Sequence, residues 1–367
     1  MSPLFRSSEP GALAADPMPA AAVRPAADAA PDILLLPGDP GPAGGMAAAL
    51  SPLVDHAAGR ILATPPNSQI QPPCHPSRLS WPVLRCLGSG TISTVVVADG
   101  MADGWLARPL TQAFGLRVIV HLSATAGYAA LHPAIAHADR LITRSRFARN
   151  LLARRHGLAA GRIAILPYGV DAMAFTPVAP SDASRPPVVL SVADLLPGSG
   201  MDRVLRSLPR LREKLPALRC RIIGDGPDRA ALEGLAAELR LGGVVRFLGH
   251  LPGELMPAFY ADADLFVLPS PGDEDGCTGS TALLHAAAAG LPIVATDGGS
   301  TPEIVKEGEN GLLAGGNDPE EPADLALLIL TNPALARTMG HRGRAVARAH
   351  DWAAVAERFL AICDGRA

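Results

Sequence analysis

The sequence predicts an α/β protein with two facing domains, each built around a doubly wound parallel sheet. Short, nearly continuous apolar runs alternate with longer segments of helical spacing, as expected of parallel strands that are buried on both faces. A segment rich in Pro, Ala and Ser at residues 171–187 interrupts this alternation, and a second alternating series follows it. The chain has 367 residues, which is too long for one ordinary hydrophobic core. Two domains joined by a linker are therefore expected.

The first alternating series defines an N-terminal domain over residues 31–175. Strands are predicted in it at residues 32–36, 60–64, 94–99, 117–122, 140–143 and 163–167. Helical spacing occupies residues 46–58 and 145–156, whereas residues 65–90 show little periodicity and are predicted as a loop. Residues 1–30 are rich in Ala and Pro without a continuous apolar stretch. A disordered tail is expected there, and neither a signal peptide nor a membrane span.

The second alternating series defines a C-terminal domain over residues 186–345. Strands are predicted at residues 187–192, 218–223, 244–248, 265–269 and 292–296. Helices are predicted at residues 201–214, 228–239, 281–289, 302–307 and 321–330. The last unit, residues 346–367, contains an amphipathic run at 351–362 with Asp351 as its N-cap. We expect this helix to cross back onto the first domain.

Composition narrows the classes of partner that the protein can have. Charged residues make up 18% of the chain and the formal net charge is −3, which argues against a nucleic-acid partner. The five cysteines have no CxxC spacing, so neither a disulfide framework nor a metal site is predicted. They are Cys74, Cys86, Cys220, Cys277 and Cys363. Scattered cysteines suit a reducing compartment, and a cytoplasmic location is predicted, with peripheral contact to the inner face of a membrane left open.

Loops at the carboxyl ends of the strands are the candidate ligand site, because ligands of open parallel sheets bind there. The loop after the first strand contains Gly44 and Gly45 just before a helix, where backbone N–H groups can approach an anion. The same loop, taken alone, is equally compatible with a simple chain turn. The loop after residues 218–223 contains Gly224 and Gly226. It lacks the third glycine and the later acidic residue of a dinucleotide site, so nicotinamide binding is disfavoured.

Two helix starts within residues 268–305 form the most specific pattern in the sequence. Thr278, Gly279 and Ser280 lead into the first helix, which either Ser280 or Thr281 can cap. The second helix start has Thr301 as the predicted N-cap and a proline at the first helical position. Two helix N-termini that open from adjacent strands into one cleft form a site for a diphosphate and a sugar.

These segments resemble the retaining glycosyltransferases of family 4, which have the GT-B fold of two facing Rossmann-like domains. The resemblance covers most of residues 31–365 and is strongest in the second half. It is carried by ILPYGVD (165–171), IIGDGP (222–227), VRFLGH (245–250), ADLFVLPS (263–270) and AGLPIVATDGGSTPEIV (289–305). In the first half, Gly44, Gly45 and the strand-end His121 occupy the positions of the family's phosphate-loop glycines and sugar-contacting histidine.

The resemblance implies an enzyme that transfers a sugar from a nucleotide diphosphate sugar to a glycan or lipid-linked acceptor. The anomeric configuration would be retained, with no protein nucleophile and no cofactor. Such a reaction belongs to polysaccharide or glycoconjugate biosynthesis. Residues 65–90 are shorter than the corresponding part of the family, where acceptor recognition usually lies, so the resemblance says least about the acceptor.

The sequence departs from the family at four positions that hold the donor. Asp194 and Ser199 align with an arginine and a lysine that stabilise the leaving diphosphate, and Cys277 and His285 align with two glutamates eight positions apart. A loop slippage would bring Glu274 into the place of Cys277. One cation about 4 Å from a phosphate charge contributes roughly 4 kcal/mol at an effective dielectric constant of 20, and its loss would slow the step about a thousandfold.

Three replacements for the missing charge remain open. Arg203 or Arg206 on the next helix can turn toward the cleft, although a solvated helix face is favoured for both. Mg²⁺ held by Asp194 and the donor phosphates, or a protonated His285, is less favoured. Glu303 is assigned to donor binding, with a simple helix-capping acid as the alternative. The rival function is a catalytically degenerate relative that binds a nucleotide sugar or a partner without turnover.

Overall fold

The computed structural model describes residues 31–36, 52–57, 59–63, 90–97, 112, 115–122, 133–175, 185–268, 280–315 and 320–366. The predicted fold class is confirmed, because these residues form two six-stranded sheets in which every pair of neighbouring strands is parallel. Helices pack against both sheets. No helix among these residues is both long and apolar enough to cross a membrane.

The first sheet has the strand order β2-β1-β3-β4-β5-β6. Its strands are β1 (Ile33–Leu36), β2 (Ile61–Ala63), β3 (Thr94–Val97), β4 (Arg117–His121), β5 (Arg140–Thr143) and β6 (Ile163–Ile165). The central strands β1 and β3 are buried along their whole length, which explains their continuous apolar sequence. Helix α1 (Arg146–His156) follows β5; the Ser145 hydroxyl caps it by accepting a hydrogen bond from Ala148 N at 3.0 Å.

The second sheet has the strand order β12-β11-β10-β7-β8-β9. Its strands are β7 (Val188–Val192), β8 (Arg219–Ile223), β9 (Val245–Phe247), β10 (Leu265–Leu268), β11 (Ile293–Thr296) and β12 (Gly311–Ala314). Strand β12 was missed in the sequence because it is short, begins with glycine and has glycine-rich neighbours. Gly311 is needed at this place, since a Cβ atom there would lie 2.4 Å from the Ile293 carbonyl oxygen.

The helices of the second half are α2 (Met201–Lys214), α3 (Arg229–Glu238), α4 (Met256–Ala261), α5 (Ser280–Ala289), α6 (Thr301–Ile304), α7 (Glu321–Leu330) and α8 (Pro333–Ala349). Helices α4 and α8 were not predicted. The helix expected at 302–307 is shorter, because Val305 leaves the helical conformation and Lys306 N donates to Asn310 Oδ1 at 2.6 Å. Gly340 of α8 packs against α5 at a distance where a Cβ atom would lie 2.0 Å from the Gly290 carbonyl oxygen.

The last helix, α9 (Trp352–Cys363), packs on the first sheet although it follows the second sheet in the chain. Its apolar residues recur at helical spacing and join one buried cluster with β1, β4 and β5. The Arg60 guanidinium lies 2.7 Å from Asp32 and 2.8 Å from Asp364, which ties the chain end to the first sheet. The returning chain also meets the linker, where Val170 N donates to the His350 carbonyl at 2.9 Å. The two lobes are thus joined by two crossing segments.

Candidate active site in the interdomain cleft

A cavity of about 310 Å³ lies between the two lobes, close to the carboxyl edges of both sheets. The first lobe contributes the start of α1, and the second contributes the starts of α5 and α6. The linker and the end of α8 complete its wall. The lining side chains that carry polar or charged groups include Arg144, Ser145, Arg146, Tyr168, Ser280, Ser300, Glu303, Lys306, His350 and Arg358.

The structure brings the two helix starts singled out in the sequence into contact. Helix α5 begins at Ser280 and α6 begins at Thr301, each after one of the neighbouring strands β10 and β11. The Ser280 and Ser300 hydroxyl oxygens are 3.2 Å apart, within hydrogen-bonding distance. The prediction of Thr301 as an N-cap is wrong: Thr301 is already helical, and Ser300 holds the cap position without a side-chain capping bond.

Glu303 lines the cavity and makes a hydrogen-bonded contact between the two lobes. Its carboxylate accepts hydrogen bonds from the backbone N–H groups of Arg146 and Phe147, both at 2.9 Å. These are first-turn N–H groups of α1, which lack a partner within their own helix. Glu303 is therefore a capping acid, as the alternative in the sequence analysis proposed, but it caps a helix of the opposite lobe. Whether it also contacts a donor stays a prediction.

His121 ends strand β4 and is 1% exposed. Among the described residues, neither of its ring nitrogens has a hydrogen-bond partner. Burial, followed by the positive charge of Arg144, holds the pKa of His121 well below its usual value. The ring is therefore neutral at pH 7 and has one donor and one acceptor to offer. The Thr143 hydroxyl, at the end of the neighbouring strand β5, is likewise buried without a partner in the described part of the chain.

Arg144 is the buried cation of the cavity, and no sequence motif singles it out. It is 3% exposed, and its guanidinium carbon lies 4.7 Å from the ring centroid of Tyr168 in the linker. A signal for it was present, because Arg144 directly follows the predicted strand at 140–143. The strand-end rule that selected His121 applies equally to this position.

The loop after β7 carries Asp194, which is exposed, and Ser199, which is buried. The loop after β8 holds it in place, since Leu195 N donates to the Asp225 carbonyl and Asp228 N donates to the Leu195 carbonyl, both at 3.0 Å. Glycine is required where the loop after β8 approaches the backbone of the loop after β7 this closely. A Cβ atom at Gly224 would lie 1.9 Å from the Ala193 carbonyl oxygen, and one at Gly226 would lie 2.4 Å from that of Leu195. The packing of the two loops thus explains why both positions are glycine, and their contact with a donor stays a prediction.

His285 packs in an aromatic cluster on α5. Its ring stacks on Phe175 with centroids 4.7 Å apart and meets the edge of Tyr260 at 5.7 Å. Burial lowers the pKa of His285 to about 4. The hypothesis of a protonated His285 that supplies charge to a phosphate is therefore not supported at neutral pH.

This burial predicts a pH dependence of stability. The folded pKa of His285 is about 4 against an ordinary 6.5, so the unfolded chain binds the proton first as the pH falls. Stability should decrease from pH 6.5 down to about 4 by up to about 3 kcal/mol, and this loss should be absent above pH 6.5. Denaturant midpoints measured across this range should show a smaller slope for His285→Phe. His341→Phe, at an exposed site on α8, is the matched control, and equal slopes in wild type and His285→Phe would contradict the assignment.

Five of the predicted site residues lie outside the described residues, and their roles stay predictions: Gly44, Gly45, Cys277, Thr278 and Gly279. Glu274 also lies outside them. Within the described part of the chain, no group of three His, Cys, Asp or Glu side chains could hold a metal ion. On α2, Arg206 is exposed and Arg203 is half-buried.

The chain has two α/β lobes with parallel sheets, and the helix starts of one lobe face the strand ends of the other across a cleft. This arrangement defines the GT-B class of glycosyltransferase folds.

Comparison with known proteins supports this assignment. Residues 178–346 match the family described as glycosyl transferases group 1. The chain is also 30% identical to a GDP-mannose-dependent alpha-(1-6)-phosphatidylinositol monomannoside mannosyltransferase of Mycolicibacterium smegmatis, over 84% of each chain. The protein belongs to the group 1 glycosyltransferases and is a glycosyltransferase enzyme.

Solved structures show the same fold at low sequence identity. A glycosyltransferase from Rickettsia africae superposes with a TM-score of 0.72 at 14% identity, covering 92% of this chain and 98% of that one. The Anabaena protein HepE in complex with UDP superposes with a TM-score of 0.70 at 17% identity, covering 91% and 100%. These similarities establish the fold of both lobes and their pairing in one chain.

Proposed function

We propose that the protein transfers a sugar from a nucleoside diphosphate sugar to a glycan or lipid-linked acceptor, with retention of the anomeric configuration. The observation that carries this proposal is the meeting of three features at one cleft. The start of the ten-residue helix α5 and the buried cation Arg144 line the cavity, and His121 ends the strand next to the one that Arg144 follows. His121 is neutral, and its ring nitrogens have no hydrogen-bond partner among the described residues. The helix start and the cation suit the diphosphate leaving group, and the neutral histidine suits a sugar hydroxyl.

The start of α5 supports stabilisation of the leaving diphosphate. Its first N–H groups have no partner within the helix, and the helix dipole favours negative charge at this end. Such donors act most strongly where water is excluded and where they need no rearrangement during the reaction.

Retention without a protein nucleophile is supported by the state of the one carboxylate among the described residues that line the cavity. Glu303 is the single carboxylate among the described residues that line it. Both of its oxygens already accept backbone hydrogen bonds from α1. A carboxylate held in this way is poorly placed to attack a sugar carbon. In our proposal the acceptor hydroxyl attacks from the face that the diphosphate leaves, and the diphosphate takes up the proton.

The relatives suggest which donors to test first. The M. smegmatis relative is named as dependent on GDP-mannose, and HepE was solved with UDP. GDP-mannose is therefore the first donor to test for this chain, with UDP-sugars second. A phosphatidylinositol mannoside is the first acceptor, which would place the reaction at a membrane surface.

The proposed function predicts nucleotide release that depends on His121. Purified protein is incubated with GDP-mannose or UDP-sugars and the acceptor, with and without Mg²⁺, while binding, nucleotide release and product configuration are measured. Wild type should release nucleotide and form a product with the donor's anomeric configuration. His121→Ala should lose at least about tenfold in kcat/KM, the equivalent of one hydrogen bond to the sugar. Binding without release would instead support the catalytically degenerate alternative.

A further inference from the structure

The loop after β7 has no cation at the two positions where the resembled family has an arginine and a lysine, whereas cationic side chains line the interdomain cavity. Asp194 and Ser199 occupy these two positions in the loop after β7, and Asp194 adds a negative charge there. The described residues that line the cavity include four cationic side chains and one carboxylate. The described lining of the cavity therefore has a net positive charge, although the loop after β7 carries none of its cations.

The four cationic side chains differ sharply in burial. Arg146 and Lys306 are exposed at the rim, and Lys306 Nζ donates to the Pro302 carbonyl at 2.7 Å. Arg358 is exposed on α9. Arg144 is 3% exposed. A buried charge is screened far less than an exposed one, so Arg144 dominates the potential inside the cavity.

Arg144 is also held in a fixed position. It directly follows β5 and precedes Ser145, which caps α1 through a hydrogen bond from Ala148 N. The Tyr168 ring lies 4.7 Å from its guanidinium carbon. A planar guanidinium in a fixed orientation suits two phosphate oxygens at once, and little reorganisation is needed when a charge develops.

A second, independent observation points to a ligand near Arg144, at the end of the neighbouring strand β4. His121 is 1% exposed, and within the described residues both of its ring nitrogens lack a hydrogen-bond partner. Buried polar groups normally have partners, so a buried ring without one among the described residues is open to a ligand. Arg144 and Ser280 line one cavity from opposite lobes, which places a cation across from the start of α5.

We infer that Arg144 of the first lobe binds the diphosphate of the donor and replaces the two cations that the loop after β7 lacks. This inference rests on the proposed function, because it assumes a nucleoside diphosphate sugar in the cleft. The donor would be held between the N–H groups at the start of α5 and the guanidinium of Arg144. Both lobes would then be needed to complete the site, and Glu303 of α6, which accepts hydrogen bonds from the start of α1, would hold them together.

The test compares diphosphate binding with nucleoside binding. GDP or UDP, whichever binds wild type more tightly, and its matching nucleoside are titrated calorimetrically into full-length wild type, Arg144→Gln and Arg144→Lys. Arg144→Gln should weaken diphosphate binding by about 10- to 100-fold and leave nucleoside binding unchanged, while Arg144→Lys should lie between Gln and wild type. Nucleotide release by Arg144→Gln should fall by about 100- to 1000-fold. Arg154→Gln, exposed on α1 and outside the cavity, should match wild type.

A rescue experiment separates a charge role from a structural one. Asp194→Arg and Ser199→Lys, introduced together into Arg144→Gln, should restore diphosphate binding if only the cation was lost. Equal loss of nucleoside and diphosphate binding in Arg144→Gln, or unchanged diphosphate binding, would overturn the inference while the proposed function stands. A wild-type protein that binds no nucleoside diphosphate would overturn the proposed function, and the inference with it.

Discussion

Replacing Gly224 by alanine is expected to destabilise the protein by on the order of 4 kcal/mol. Gly224 has a φ of 134°, a conformation that strains any residue with a side chain, and its Cβ atom would lie 1.9 Å from the Ala193 carbonyl oxygen. The backbone strain costs about 1–3 kcal/mol, and the forced displacement of the neighbouring chain costs a similar amount. Denaturant unfolding should therefore show a strongly lowered midpoint, and the loop that carries Asp194 should exchange its amide hydrogens faster.

The control for this substitution is expected to change stability in the opposite direction. Gly234 lies inside helix α3, and a Cβ atom there would meet nothing within 4 Å. Gly234→Ala should stabilise the protein by about 0.5–1 kcal/mol, because alanine loses less conformational freedom in a helix. Equal stability of Gly224→Ala and Gly234→Ala would contradict the close packing of the loops after β7 and β8.

Replacing Phe359 by alanine is expected to cost about 3–5 kcal/mol, although the residue lies only a few positions from the chain end. Phe359 is 1% exposed and belongs to the cluster that α9 forms with the first sheet. Its removal leaves a cavity beneath β1, β4 and β5. Because two lobes need not unfold in one step, hydrogen exchange resolved by segment is the appropriate measurement. Protection should fall in β1 and β5 and persist in β10 and β11.

Glu357→Ala is the matched control for Phe359→Ala, since Glu357 is exposed on the same helix. It should change stability by less than about 0.5 kcal/mol. Loss of protection in the second sheet, with the first sheet unaffected, would mean that α9 supports the other lobe.

The crossing of α9 links the Phe359 prediction to the site. The linker residue Gly169 packs so closely on Trp352 of α9 that a Cβ atom there would lie 2.3 Å from the indole ring. The neighbouring Tyr168 faces Arg144 across the cavity wall. The relative position of the lobes is therefore set at the point where the linker and the returning chain touch, immediately beside the proposed diphosphate site.

Sequence patterns predicted the elements that carry strong local signals. Helix α7 was predicted with its observed limits, because proline and acidic residues mark its start and apolar spacing marks its body. Strand β12 and helix α8 were missed for opposite reasons. The strand is short and flanked by glycines, whereas α8 is rich in Arg and contains two glycines that weaken its helical signal.

The sequence did not predict which residues the site residues would contact. His285 was aligned with a donor-binding position, yet its ring stacks on Phe175, a residue of the linker 110 positions earlier. Glu303 was placed at its own helix start, yet its carboxylate binds the start of α1 in the opposite lobe. Arg144 belongs to no motif, and although it follows a predicted strand, its burial in the cavity wall became apparent only in the structure.

By itself the sequence determined two parallel α/β lobes, the order of their strands along the chain and the strand-end loops where a ligand belongs. These features follow from periodicity and from glycine, proline and capping residues, whose effects act within a few positions. The tertiary structure alone decided which charges enter the cleft, which histidine stays unpartnered among the described residues and which acid joins the lobes. Those properties depend on burial and on contacts between residues more than a hundred positions apart, which no local pattern encodes.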